Sequence, residues 1–132
     1  MTEHVDLQFS YEADVLIVRA NGRYLIENVE AAIKQIAAAI EQKPVKAALV
    51  DLRNVPGSIA FMDRFELGKL AGLHLRTIPI GAVAREDQLD KHRLALVVAR
   101  NRGATIELFC ELSAAQEWLD ALPPPNKGLT EV

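Results

Sequence analysis

Val45-Lys46-Ala47-Ala48-Leu49-Val50-Asp51-Leu52 is a short apolar run that ends beside an acid. Arg53-Asn54-Val55-Pro56-Gly57-Ser58 then breaks it on Pro-Gly before a new helical pattern begins. The run has the length and composition of a strand buried on both faces and emptying into a loop. Burial on both faces belongs to parallel strands covered by helices, and in open α/β sheets ligands and partners are met outside the carboxyl ends of such strands. An α/β fold then requires strands and helices to alternate on either side of this run.

They do. Upstream, Val5-Asp6-Leu7-Gln8-Phe9 alternates at period two, and Val15-Leu16-Ile17-Val18-Arg19-Ala20 is apolar and β-branched. With Glu12-Ala13-Asp14 as a tight connection, the two predict an antiparallel hairpin that Asn21-Gly22 ends. From Ile26 the period changes: Ile26, Val29, Ile33, Ile36 and Ile40 fall at three- and four-residue steps, and Pro44 stops the helix. Downstream, a second helix is expected from Ala60 to Leu75 and a strand from Ile78 to Ala84, with Pro79 tolerable only at its start. Asp87 is the expected N-cap of a third helix that runs to about Arg100 and stops at Gly103. Thr105 to Cys110 reads as the last core strand, and Ser113-Ala114-Ala115-Gln116 has the spacing of a capping box opening a final helix to Leu122.

The order β-β-α-β-α-β-α-β-α predicts an α/β fold: a mixed five-stranded sheet, antiparallel in its first hairpin and parallel thereafter, with about four helices against it. One domain over residues 1–122 is expected, followed by a loose tail over 123–132 that opens on Pro123-Pro124-Pro125.

Composition narrows the function classes. The chain has 132 residues, half of them apolar and a quarter charged, as ordinary globular proteins do. A net charge of −3 is small and of the wrong sign for a nucleic-acid surface. No apolar run reaches membrane-span length, so no stable membrane insertion is expected, and the acidic start is unlike a signal or transit peptide. Cys110 is the one cysteine, which excludes an internal disulfide and a thiolate zinc cluster. A reducing, cytoplasmic setting follows, bacterial by preference.

Three features now carry a resemblance. They are the order of elements, the strand Leu49-Val50-Asp51-Leu52-Arg53, and the late segment Ala99-Arg100-Asn101-Arg102-Gly103-Ala104-Thr105-Ile106-Glu107-Leu108-Phe109, followed by Ala114-Ala115-Gln116-Glu117-Trp118-Leu119. From about Ala13 to Leu122 the chain resembles the SpoIIAA-like, or STAS-like, family, whose fold is similar to that of the CRAL-TRIO lipid-exchange domains. The resemblance implies a small regulatory or adaptor domain that works by protein–protein interaction, without catalysis. In anti-sigma-factor antagonists of this family, a serine in an Asp-Ser-x-Gly motif at the start of the second helix accepts phosphate from a partner kinase. This chain departs from that pattern, because no Asp-Ser pair follows Asp51 and Ser58 is only the nearest hydroxyl.

Arg53, Asn54 and Ser58 on one loop, Arg85, Glu86 and Asp87 on the next, and Glu111 and Ser113 on the last form a polar rim; caps and solvated arginines explain it without a ligand. Asp51 lacks the second acidic cluster of a magnesium-dependent phosphoacceptor and reads as a turn-forming carboxylate bonded to nearby amides. His4, His74 and His92 have no metal spacing, so no metal is expected. A Ser58, His74 and Asp63 triad lacks a nucleophile elbow. Cys110 is expected to turn inward and stay inert. Gly57, Gly68, Gly72, Gly81 and Gly103 form no dinucleotide or phosphate loop, so no cofactor is expected; Gly68 and Gly72 share a helix face suited to close packing or to a dimer contact.

The second helix carries more apolar residues than one buried stripe needs: Phe61, Met62, Phe65, Leu67, Leu70, Ala71, Leu73 and Leu75. The surplus is either a working surface or deep burial under the first helix. The expected surface joins the loop Arg53 to Ala60 to the exposed side of this helix. Phe61, Met62 and Phe65 are its apolar anchors, and Arg53, Asn54, Ser58, Asp63, Arg64 and Arg85 its polar contacts. A protein partner is the first expectation, with homodimerisation through this or an edge-strand surface. The alternative is a carrier or sensor of a small hydrophobic ligand, such as a lipid, in a pocket under the same helix.

Overall fold

The structure, a computed structural model, describes residues 5–22, 26–55 and 61–123, apart from the side chains at 5, 26, 27, 61 and 90–92. β1 (Val5–Glu12) and β2 (Val15–Gly22) pair antiparallel with Glu12 opposite Val15, so only Ala13 and Asp14 connect them. Two-residue hairpin loops need a left-handed residue to match the strand twist. Ala13 supplies it, at φ 54°.

α1 (Ile26–Gln42) follows, and Val29, Ile33, Ile36 and Ile40 are all buried. Each such side chain contributes roughly 1.5–3 kcal/mol by leaving water. β3 (Ala47–Asn54) starts and ends two residues later than expected. The Lys46 N–H donates to the Asp14 carbonyl at the hairpin turn (2.7 Å), so the ladder with β2 begins only at Ala47.

α2 (Phe61–His74), β4 (Ile80–Val83), α3 (Leu89–Asn101), β5 (Ile106–Phe109) and α4 (Leu112–Asp120) complete the order. The sheet runs β1-β2-β3-β4-β5, parallel from β2 onward. Each parallel strand lies beside its predecessor, so right-handed crossovers stack α1, α2 and α3 on one face. Leu16, Val18, Ala48, Val50 and Ile80 meet those helices; Ile17, Ala47, Leu49 and Val83 meet Ala115 and Leu119 of α4 on the other face. Strand alternation thus sends successive residues of β3 into two different cores.

Several boundaries differ from expectation, each for a local reason. β4 begins after Pro79, which has no N–H to give but accepts one from Ala48 (3.0 Å). Asp87 does not cap α3: it lies in a 3₁₀ turn, Glu86–Gln88, where the Arg85 N–H donates to the Gln88 side-chain oxygen (3.0 Å). Ser113 does not cap α4 either, because the helix starts one residue earlier with Glu111 in extended backbone before it. Cys110 is exposed, not buried, since β5 ends at Phe109 and the alternation stops governing it.

The expected stop at Gly103 is present. At φ 98° its N–H bonds the Arg100 carbonyl (3.0 Å) while Ala104 bonds Ala99 (3.1 Å), the paired closure that ends many helices. Leu75 falls just past α2, its N–H on the Ala71 carbonyl (2.8 Å). The Pro56 to Ala60 stretch, and the tail expected after Pro123, lie outside the described residues.

Candidate functional site

At the carboxyl end of β3 alternation places Asp51 and Arg53 on the α4 face of the sheet, away from α2. Their side chains form a fork. Arg53 Nε donates to Asp51 Oδ1 (2.9 Å), Nη2 to Oδ2 (2.8 Å), and the Arg53 backbone N–H also reaches Oδ1 (3.1 Å). The guanidinium hydrogen bond holds the Asp51 carboxyl below its ordinary range, against the opposing effect of burial, and Arg19 adds a weaker pull in the same direction. Asp51 is therefore a bonded carboxylate, as the sequence predicts, but it lies within β3 and not in a turn, and a guanidinium with one backbone amide replaces the expected set of amides.

The β3 and β4 loops are sewn together by the next residues along. Arg85 Nη1 donates to the Arg53 carbonyl, and its Nε meets Asp87 (3.2 Å). Gln88 is buried and satisfied at both ends of its amide: its oxygen accepts from Arg85, and Nε2 donates to the Val55 carbonyl (2.8 Å). Sequence reading missed Gln88, whose only signal is a polar residue just before an apolar helical stripe. Asn54 is exposed at the end of β3. The polar rim here is structural cross-bracing. Among the described residues no group of three or more His, Cys, Asp or Glu side chains is placed to hold a metal ion.

Of the remaining candidates, Ser58 and the Phe61 side chain lie outside the described residues. Asp63 and Arg64 are half-buried and each has an interaction partner. Asp63 and His74 stand at opposite ends of α2, roughly 16 Å apart at the helical rise, which separates two members of the paper triad. Met62 and Phe65 point outward from α2. Thus the structure joins Arg85 to the Arg53 carbonyl, sets Met62 and Phe65 on one face of α2, and places the Arg53 guanidinium on the opposite side of the sheet from those anchors.

α2 splits its apolar surplus between two sides. Leu67, Leu70, Ala71 and Leu75 pack inward, whereas Met62 is 70% exposed, Leu73 61% and Phe65 38%. Positions 62, 65, 69 and 73 share a helix face. Phe65 lies within 5.8 Å of both Lys69 Nζ and the Arg102 guanidinium, and Arg76 Nη1 reaches the Arg102 carbonyl (3.4 Å). The outer face is therefore an apolar stripe edged by cations. Gly68 and Gly72 serve α3 contact on the flank: a methyl at Gly68 would sit 2.5 Å from the Ala95 carbonyl oxygen, and one at Gly72 2.7 Å from Arg102 Cβ. Packing, and not a dimer contact, accounts for the pair.

Beneath α2 lies an apolar cavity of about 150 Å³, walled by Ile36, Val50, Leu67, Ala82, Ala95 and Leu108 among others. No helix among the described residues is long and apolar enough to cross a membrane.

Comparison with known proteins bears on the fold. No protein-family model matches the sequence, and no curated protein is significantly similar to it. The crystal structure of an anti-sigma factor antagonist from Mycobacterium paratuberculosis superimposes with a TM-score of 0.62 at 16% identity, covering 88% of this chain and 94% of that one. An uncharacterized protein with a SpoIIAA-like fold from Shewanella loihica PV-4 gives 0.55 at 20% identity, covering 90% and 96%. Hairpin, parallel crossovers, three helices on one face and these superpositions agree: the chain has the SpoIIAA-like fold.

Proposed function

We propose that this protein is a regulatory or adaptor module that binds a protein partner through the outer face of α2 and has no catalytic activity of its own. The observation that carries the reading is the exposed stripe of Met62, Phe65 and Leu73 with Lys69, Arg76 and Arg102 around it. Apolar anchors with a polar, charged surround are the composition of protein interfaces, in which the anchors supply affinity and the charges orientation. The likeness to an anti-sigma factor antagonist supports the same class of role. The absence of an Asp-Ser pair after Asp51 favours binding without the phosphate switch. Affinity capture from cells, with the parent protein beside Met62→Ser and Leu73→Ser, tests it. A specific partner lost from both variants is expected; equal recovery of every partner from all three proteins removes α2 from the interface.

The cavity favours a second reading, in which the domain carries or senses a small hydrophobic ligand. Ordinary ligand pockets measure about 300–1,000 Å³. At about 150 Å³ this one is the size that admits benzene or xenon. An acyl chain would require α2 and α3 to lift together, since the Gly68–Gly72 seam joins them. Native mass spectrometry of freshly purified protein separates the readings: a copurified lipid mass supports the carrier, and bare protein opposes it.

A further inference from the structure

The two edges of the sheet are treated differently. β5 is short, and Arg100 guards it: Nε donates to the Ile106 carbonyl (3.0 Å) and Nη2 pairs with Glu107 (2.8 Å). Parallel pairing directs the Thr105 and Phe109 carbonyls to Ile80 and Ala84, so the Ile106 carbonyl faces outward. Arg100 thus takes one of the groups a further strand would use.

Among the described residues no side chain is seen to guard the outer edge of β1 in this way. β1 is eight residues long, in unbroken register with β2, and contains neither proline nor lysine. In a hairpin closed by two residues the flanking pair, Glu12 and Val15, exchanges hydrogen bonds, so the even-numbered residues of β1 face β2. The bond from Lys46 to the Asp14 carbonyl agrees, since it turns the even positions of the next strand toward β3. The N–H and C=O groups of Val5, Leu7, Phe9 and Tyr11 therefore point away from the sheet. Phe9 is 38% exposed beside them, while the Tyr11 hydroxyl is fixed on the Ala39 carbonyl (2.8 Å) and holds the strand against α1.

We infer that β1 is a docking edge for a second copy of this chain, paired antiparallel with its own β1 about a two-fold axis. The occupant follows from self-complementarity. With Gln8 opposite Gln8, Leu7 meets Phe9 and Asp6 meets Ser10, each twice by symmetry, and the outward groups of all four odd residues find partners. With Phe9 opposite Phe9, Asp6 would face Glu12 twice, and like charges directly opposite are unfavourable. Charge thus disfavours the Phe9-centred register, and the Gln8-centred one pairs seven residues of β1 where a Leu7- or Ser10-centred one would pair only five. The Gln8-centred register covers Phe9 with the second copy's Leu7 and continues one sheet into the other. It leaves the outer face of α2 free, because α2 sits between α1 and α3.

The test is sedimentation equilibrium of the full chain across the micromolar range, with amide exchange followed residue by residue. A concentration-dependent dimer is expected, with exchange at Leu7, Phe9 and Tyr11 slowing as it forms while Gln8 and Ser10 stay protected throughout. Phe9→Pro removes an outward donor at a position where an edge strand tolerates proline. It should weaken the dimer by about tenfold or more. Phe9→Lys gives the same reading if the proline variant does not fold. Glu12→Gln should leave the dimer unchanged in the Gln8 register, and a tighter dimer from it overturns that register. A monomer at every concentration, or a dimer indifferent to both Phe9 variants, overturns the pairing.

Discussion

Asp51 and Arg53 stand two apart on one strand, so the pleat puts them side by side, and a planar guanidinium meets a carboxylate two-pronged. A carboxyl whose ionised form is favoured in the folded state stabilises the fold above its unfolded pKa, near 3.8, and loses that contribution as pH falls through the lower folded value. Asp51→Asn should therefore cost roughly 1–2 kcal/mol at pH 7, a figure kept low because the guanidinium is 41% exposed. The gap between parent and variant, read by urea denaturation at a series of pH values, should hold down to about pH 5 and close below about pH 4. A gap unchanged in strong acid would show that the fork contributes through packing, not charge. Ala13 offers the opposite sign. Its φ of 54° strains an L-residue that a glycine would not strain, so Ala13→Gly should raise stability by about 0.5–1 kcal/mol despite the looser unfolded chain. A loss of stability in the same denaturation series would place Ala13 elsewhere in backbone space.

The seam between α2 and α3 is where single atoms decide how elements sit. Gly68 lets the helices approach until the Ala95 carbonyl occupies the space a side chain would need. A backbone oxygen cannot rotate aside, so Gly68→Ala must push the helices apart and should cost about 2–3 kcal/mol. Thermal and urea unfolding check this, and a neutral Gly68→Ala would mean the seam is loose. The seam was legible as two glycines four apart, whereas its partner helix was not, because a helix face does not name what covers it. Strand and helix identities were legible for the same periodic reason that α1 buries Val29, Ile33, Ile36 and Ile40. Helix starts were not. Asp87 and Ser113 have the chemistry of caps, but the Arg85–Gln88 bond closes a 3₁₀ turn first, and α4 begins at Leu112. Local propensity gave way to bonds between loops, and loop-to-loop bonds leave no periodic trace.

On the scale of the whole molecule, three helices on one face of the sheet and one on the other make two unequal cores. The larger holds the cavity, which the sequence offered only as an alternative under the second helix and whose size it could not give: it is the remainder left after side chains from α1, α2, α3 and the three strands β3, β4 and β5 are fitted together. Its almost wholly apolar walls face space that no side chain fills, so filling it from within the protein adds buried contacts. Ala82 lies on β4 between Val50 and Leu108 and borders that space, in a strand where a β-branched side chain is favoured. Ala82→Val adds two carbons to the void without asking a helix to move, and each buried carbon contributes about 0.8 kcal/mol. Some of that goes into refitting neighbours, so the expected gain is about 1 kcal/mol in urea denaturation. The substitution also separates the two functional readings. If the cavity is only a packing remainder, Ala82→Val is more stable and recovers the same partners through α2 as the parent. If it is a ligand site, filling it removes any copurified hydrophobic mass along with the void. A destabilised Ala82→Val protein would mean the space is already filled by side-chain motion, and the carrier reading would lose the observation on which it stands.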